Sequence, residues 1–119
     1  MPALSFGYSN FNQSNAISEL KMDIEFNSGV SLNSGQMKKN GKIIELTLDI
    51  TGNFAVGETV VGTLKNNPPV ISTTTGGRSL DSSGKVSAMS AVILSSGLMR
   101  VHCLNNAKKL LFSFMYITK

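Results

Sequence analysis

Apolar and polar residues alternate along most of this chain, the period of a strand with one buried face. Met22, Ile24 and Phe26 alternate with Lys21, Asp23 and Glu25. Asn27-Ser28-Gly29 predicts a turn, and Val30 and Leu32 open another extended piece. Asn40-Gly41 is a strong hairpin signal, because both residue types tolerate the positive φ of a type I′ turn. In the strand that follows, Ile44, Leu46, Leu48 and Ile50 share one face, and Glu45, Thr47, Asp49 and Thr51 the other.

The breaks between strands have the chemistry of turns. Gly52-Asn53 closes the strand, and Gly57 precedes a short one from Thr59 to Leu64. Asn66-Asn67-Pro68-Pro69 interrupts pairing, since neither proline donates a hydrogen bond. Val70 to Thr74 reads as an edge strand ended by Gly76-Gly77. Asp81-Ser82-Ser83-Gly84 and Ser95-Ser96-Gly97 predict turns around Lys85 to Leu94, whose two faces are both largely apolar. Met99, Val101 and Cys103 alternate with Arg100 and His102, and Asn105-Asn106 turns the chain again.

The last strand, Lys109 to Ile117, departs from this pattern. Leu110, Phe112, Phe114 and Tyr116 take one face, while Leu111, Met115 and Ile117 take most of the other. An antiparallel strand with one wet face reads otherwise. The strand is either covered on both sides within the domain or turned toward another subunit, with Leu111, Met115 and Ile117 as the candidate interface. About eight strands at short, even spacing predict an all-β fold, a jelly-roll-like antiparallel β-sandwich. Met1 to Asn15 shows no period and reads as an irregular N-terminal arm. Asn15 is placed to cap a single helical turn carrying Ile17 and Leu20. Residues 1–20 are thus expected to form an arm or neck and residues 21–119 a head domain.

Composition agrees with a folded binding domain. Apolar residues make up 41% and charged residues 15%, whereas disordered chains are highly charged and poor in apolar residues. The net charge of +4 is spread along the chain, and its only lysine pairs, Lys38-Lys39 and Lys108-Lys109, flank predicted turns. Nucleic-acid binders gather such charge into stripes with stacking aromatics, so no nucleic-acid partner is expected. The mild positive field favours an anionic partner such as a phosphate-rich polymer. No apolar run approaches the roughly 18 residues of a membrane span, so no membrane insertion is expected. Met1-Pro2-Ala3-Leu4 lacks the basic and then apolar pattern of a signal peptide.

Catalytic chemistry is sparse. His102 is the single histidine and Cys103 the single cysteine. Adjacent strand residues point to opposite faces, so these two do not pair, and no disulfide forms within the chain. Cys103 reads as a small core residue and His102 as a half-exposed strand residue. Glu45 and Asp49 stand roughly 13 Å apart along one strand, at about 3.3 Å per residue. Paired glycosidase carboxylates stand at most about 9.5 Å apart. These two, with Asp23 and Glu25, read as solvated surface. Gly76-Gly77-Arg78 reads first as a turn and second as a small anion nest. With no tryptophan and only Tyr8 and Tyr116 as tyrosines, a sugar site has no obvious aromatic platform. It would rest on loop polar side chains, for which Lys65, Asn66 and Arg78 are the candidates. No cofactor and no metal is implied, and an enzyme is the least favoured class.

From Asn40 onward the chain resembles the C-terminal head domains of tail-fibre, baseplate and minor structural proteins in phages of Gram-positive bacteria. The features that carry the resemblance run in order. Asn40 to Gly52 comes first, then Gly57 to Leu64 leading into a proline-containing loop, the Ser95-Ser96-Gly97 turn, and the apolar strand Leu110 to Ile117. The family pattern places an aromatic-containing stretch between two prolines after the Thr-Leu strand end. Here Lys65-Asn66-Asn67 precedes Pro68-Pro69 with no tyrosine, so no binding residue transfers from the family. The resemblance implies a jelly-roll-like head, usually a homotrimer, at the tip of a virion appendage. Its partners would be host cell-surface polysaccharide and other virion tail proteins. The alternative is a purely structural trimerising domain of a virion fibre. A non-viral jelly-roll ligand resembling the tumour-necrosis-factor and complement families shares the expected fold and trimer.

Overall fold

A computed structural model of the protein describes residues 17–119, which hold nine strands and no helix. They are β1 (Ser18–Leu20), β2 (Ile24–Phe26), β3 (Ser31–Asn40), β4 (Ile43–Phe54), β5 (Gly57–Leu64), β6 (Thr73–Leu80), β7 (Val86–Ile93), β8 (Leu98–Cys103) and β9 (Ala107–Ile117). Every pairing is antiparallel, in the spatial order β1-β3-β4-β9-β6-β7-β8-β5-β2. The sheet curls so that one face of each major strand meets a common core. The pairings nest, with the β6–β7 hairpin inside the β5–β8 pair, and that inside the β4–β9 pair.

The two-residue period explains the core. Ile44, Leu46, Leu48 and Ile50 of β4 are buried, as are Leu110, Phe112, Phe114 and Tyr116 of β9. Register sets Leu46 beside Phe114, Leu48 beside Phe112 and Ile50 beside Leu110. Met89, Ala91 and Ile93 of β7, Met99, Val101 and Cys103 of β8, and Val61 and Leu64 of β5 complete the cluster. Each buried Leu, Ile or Phe side chain contributes about 1.5–3 kcal/mol against exposure. The β6–β9 ladder runs only from Gly77↔Phe112 to Leu80↔Lys109. Beyond it β9 continues on β4 and β6 on β7, and the chain around Pro69 fills the opening with one bridge to Thr118.

The sheet's two edges are joined by a short strap. β1 pairs with β3, β2 pairs with β5, and Lys21 to Asp23 carries the chain between them. Leu20, Met22, Ile24 and Phe26 pack against the core from this strap.

Several local expectations are corrected. Ser18–Leu20 is a strand, not a helical turn, because pairing with Met37 to Lys39 and contact of Leu20 with the core outweigh local propensity; Asn15 lies outside the described residues. Asn40 pairs with Ile43, so the hairpin turn is Gly41-Lys42. Only Gly41 has positive φ there (63°), the pattern of a type II′ turn rather than I′. β4 continues through Gly52 and Asn53 to Phe54, absorbing them as an irregularity in register. Gly76 and Gly77 lie inside β6, which is a central strand and not an edge. Arg78 is therefore a strand residue, not a loop residue. The turns at Gly29, Gly84 and Gly97 stand as expected, each glycine with positive φ.

Strand direction sorts the connections into two ends. Ile17, the Gly41-Lys42 turn, residues 65–72, residues 94–97 and the C-terminal Lys119 lie at one end. Asn27 to Val30, Ala55-Val56, Asp81 to Lys85 and Leu104 to Asn106 gather at the other.

Candidate functional site

Three of the loops at the second end enclose an open cleft of about 450 Å³, lined by Asn53 to Ala55, Asp81 and Ser82, and Asn106 to Lys108. Asn53 and Phe54 also wall a neighbouring hollow of about 270 Å³ formed with Asn27 to Val30. The register irregularity at the end of β4 puts both residues at this rim.

The loops are held by their own polar groups. The Asp81 carboxylate oxygen Oδ1 accepts from the Ser83 hydroxyl (2.7 Å), the Ser83 N–H (2.9 Å) and the Lys85 N–H (2.9 Å). These bonds, the Ser83 hydroxyl foremost, hold its pKa below the ordinary carboxylate value. Asn106 Oδ1 accepts from the Val56 N–H at 3.1 Å, tying two neighbouring loops together. Lys108 Nζ donates to Asn53 Oδ1 across the cleft floor. A rim of amides, hydroxyls, one carboxylate and one ammonium suits a hydroxyl-rich ligand.

Acid–base or metal chemistry finds no cluster here. Among the described residues, no three His, Cys, Asp or Glu side chains gather. His102 is exposed and Cys103 buried, on opposite faces of β8. Burial pushes the Cys103 thiol pKa up, which disfavours the reactive thiolate. Asp49 is ion-paired with Lys109 at 3.5 Å and accepts from Asn33 at 3.0 Å.

The residues singled out from sequence fall in three separate places. Lys65 and Asn66 lie at the first end. Asn66 accepts from the Asp23 N–H (3.1 Å) and donates to the Lys21 carbonyl (2.9 Å), so it clamps the strap. Lys65 pairs with Glu25 at 3.2 Å. Arg78 stands mid-strand on the outer face of the sheet. Leu111, Met115 and Ile117 share that face on β9; Leu111 is half-buried, while Met115 and Ile117 are 65% and 60% exposed. Ile43, opposite Ile117 in register, is 44% exposed, and the Val70 N–H donates to the Ile117 carbonyl at 2.9 Å. Exposed Val70 and Ile71 thus extend one apolar patch near the first end.

Asn53, Asp81, Ser82, Asn106 and Lys108 carry sequence signals only of turns. Their gathering follows from alternation: in a nested antiparallel sheet every second connection returns to the same end.

No protein-family model matches this sequence, and no curated protein matches it. Among solved structures, the chain is similar to the receptor binding protein (gp15) of Listeria phage PSA. The likeness has a TM-score of 0.62 at 12% sequence identity, covering 98% of this chain and 74% of that one, and it establishes a shared all-β fold.

Proposed function

We propose that this protein is the head domain of a phage tail appendage that attaches to host cell-surface carbohydrate without catalysis. The observation that carries this reading is the fold shared along 98% of the chain with a phage receptor binding protein. The polar cleft among the loops supports it, because these loops lie at the end opposite Ile17, where the N-terminal segment joins the sheet. An appendage entering at that end would present them outward. On this reading the protein resides in the virion tail and contacts other tail proteins. Three copies pack as a jelly-roll-like homotrimer through the patch of Ile43, Met115 and Ile117, and the copies add avidity to weak sites.

A purely structural trimerising role is the second reading, favoured by that same apolar patch. Adsorption of the fluorescent protein to purified cell walls from a panel of Gram-positive bacteria separates the two. Attachment predicts saturable binding to the walls of some strains, lost when their surface polysaccharide is removed. Binding to no wall in the panel would leave the structural reading in its place.

A further inference from the structure

Glycine inside a strand weakens it unless packing or a close approach requires it. Gly76 and Gly77 differ sharply in this respect. A Cβ on Gly77 would stand 2.4 Å from the Leu111 carbonyl oxygen and 2.7 Å from Phe112 Cβ, so packing excludes any side chain there. A Cβ on Gly76 would meet nothing nearer than the Met89 carbonyl oxygen at 3.8 Å, and Gly76 has no positive φ. The fold therefore has room for a side chain that the sequence omits.

The space left open at Gly76 belongs to a groove of about 390 Å³ on the outer face of the sheet. Ser34, Thr47 and Ser113 supply hydroxyls along it, Leu111 an apolar wall, and Arg78 a guanidinium. Thr47 and Ser113 are register partners, as are Arg78 and Leu111, so rigid strands hold these groups. The Asp49 charge at the groove is matched by Lys109. Among the described residues Arg78 has no ion-pair or side-chain hydrogen-bond partner. The groove thus carries one uncompensated positive charge beside three hydroxyls.

We infer that this groove binds an anionic saccharide unit of a surface polymer, with Arg78 on the phosphate or carboxylate and the sugar seated over Gly76. The inference deepens the attachment reading and rests on it for the source of the polymer. Guanidinium binds either anion through paired N–H donors, and the hydroxyls serve the sugar oxygens.

The test is amide NMR titration of the isotope-labelled full chain with oligo(glycerol phosphate), oligogalacturonate and neutral maltotetraose. One anionic oligomer is expected to shift the Gly76, Gly77 and Ser113 amides saturably, and which one does so identifies phosphate or carboxylate. Maltotetraose is expected to leave them unmoved. Gly76→Val, which fills the groove, and Arg78→Gln are each expected to raise Kd at least tenfold without lowering Tm. Arg78→Gln alone decides the matter if the valine variant unfolds. No shift with either anion, equal binding of maltotetraose, or an unchanged Kd in a folded variant would overturn the inference. Anion binding in the groove by a protein that adsorbs to no cell wall would instead refute the attachment reading and leave the groove standing.

Discussion

The Tyr116 hydroxyl donates a 2.8 Å hydrogen bond to the carbonyl of Asn67, joining the core strand β9 to the loop after β5. Asn67 has φ 52°, the left-handed region, and is alone in this among the described non-glycine residues. The Thr118 hydroxyl adds a bond to the Pro68 carbonyl at 2.9 Å. Together they pin the loop where the β6–β9 ladder has ended. Tyr116→Phe is expected to cost ~1 kcal/mol in denaturant unfolding, the worth of one such bond. Burial pushes the Tyr116 phenol up to about 12. A phenol raised in the folded state contributes stability that is whole below the unfolded value near 10 and declines as pH rises toward 12. The phenylalanine variant is expected to lose less stability than the parent between pH 9 and pH 11.

At Gly97 two constraints coincide. Its φ is 95°, and a Cβ there would stand 2.1 Å from the Leu64 carbonyl oxygen. The Gly97 carbonyl also accepts from the Leu64 N–H at 2.7 Å. Gly97→Ala is expected to destabilise by ~2–4 kcal/mol, since it adds backbone strain to a clash with main chain. Thermal unfolding measures it; a Tm within a degree of the parent would refute the account.

The Asp81 network makes a pH prediction. Its hydrogen bonds hold its folded pKa below the ordinary aspartate value near 3.8, so its contribution is present above that value and lost as pH falls through the folded pKa. Asp81→Ala is expected to lower Tm at neutral pH and to narrow the gap to the parent below pH 4. A gap constant from pH 7 to pH 3 would place the effect elsewhere than in the carboxylate.

Met115→Lys and Ile117→Lys test the outer patch. Both side chains are mostly exposed, so the isolated fold is expected to change by no more than about 0.5 kcal/mol. Light scattering is expected to give a trimer of the 12.7 kDa chain for the parent and a monomer for the double variant. A monomeric parent would remove the interface role.

The alternation at Ile44 to Ile50 and at Leu110 to Tyr116 was enough to name the core faces of β4 and β9, because one buried face imposes a period of two. The turns at Gly29, Gly84 and Gly97 were legible because each needs a conformation that glycine supplies. The Gly76-Gly77 pair carries an ambiguous signal, since the same residue type serves a turn and a close approach inside a strand. Ser18–Leu20 is not legible as a strand from sequence, because three residues carry too little local preference to resist pairing with β3.

Local patterning alone encodes an all-β chain, the sides of its main strands and the positions of most turns. These are local matters of periodicity and backbone freedom. Strand pairing sets which turns share an end, that Asn66 clamps a strap, and that Arg78 faces a groove floored by Gly76. Those relations depend on which strands pair, and pairing joins residues distant in sequence through contacts that no local pattern encodes.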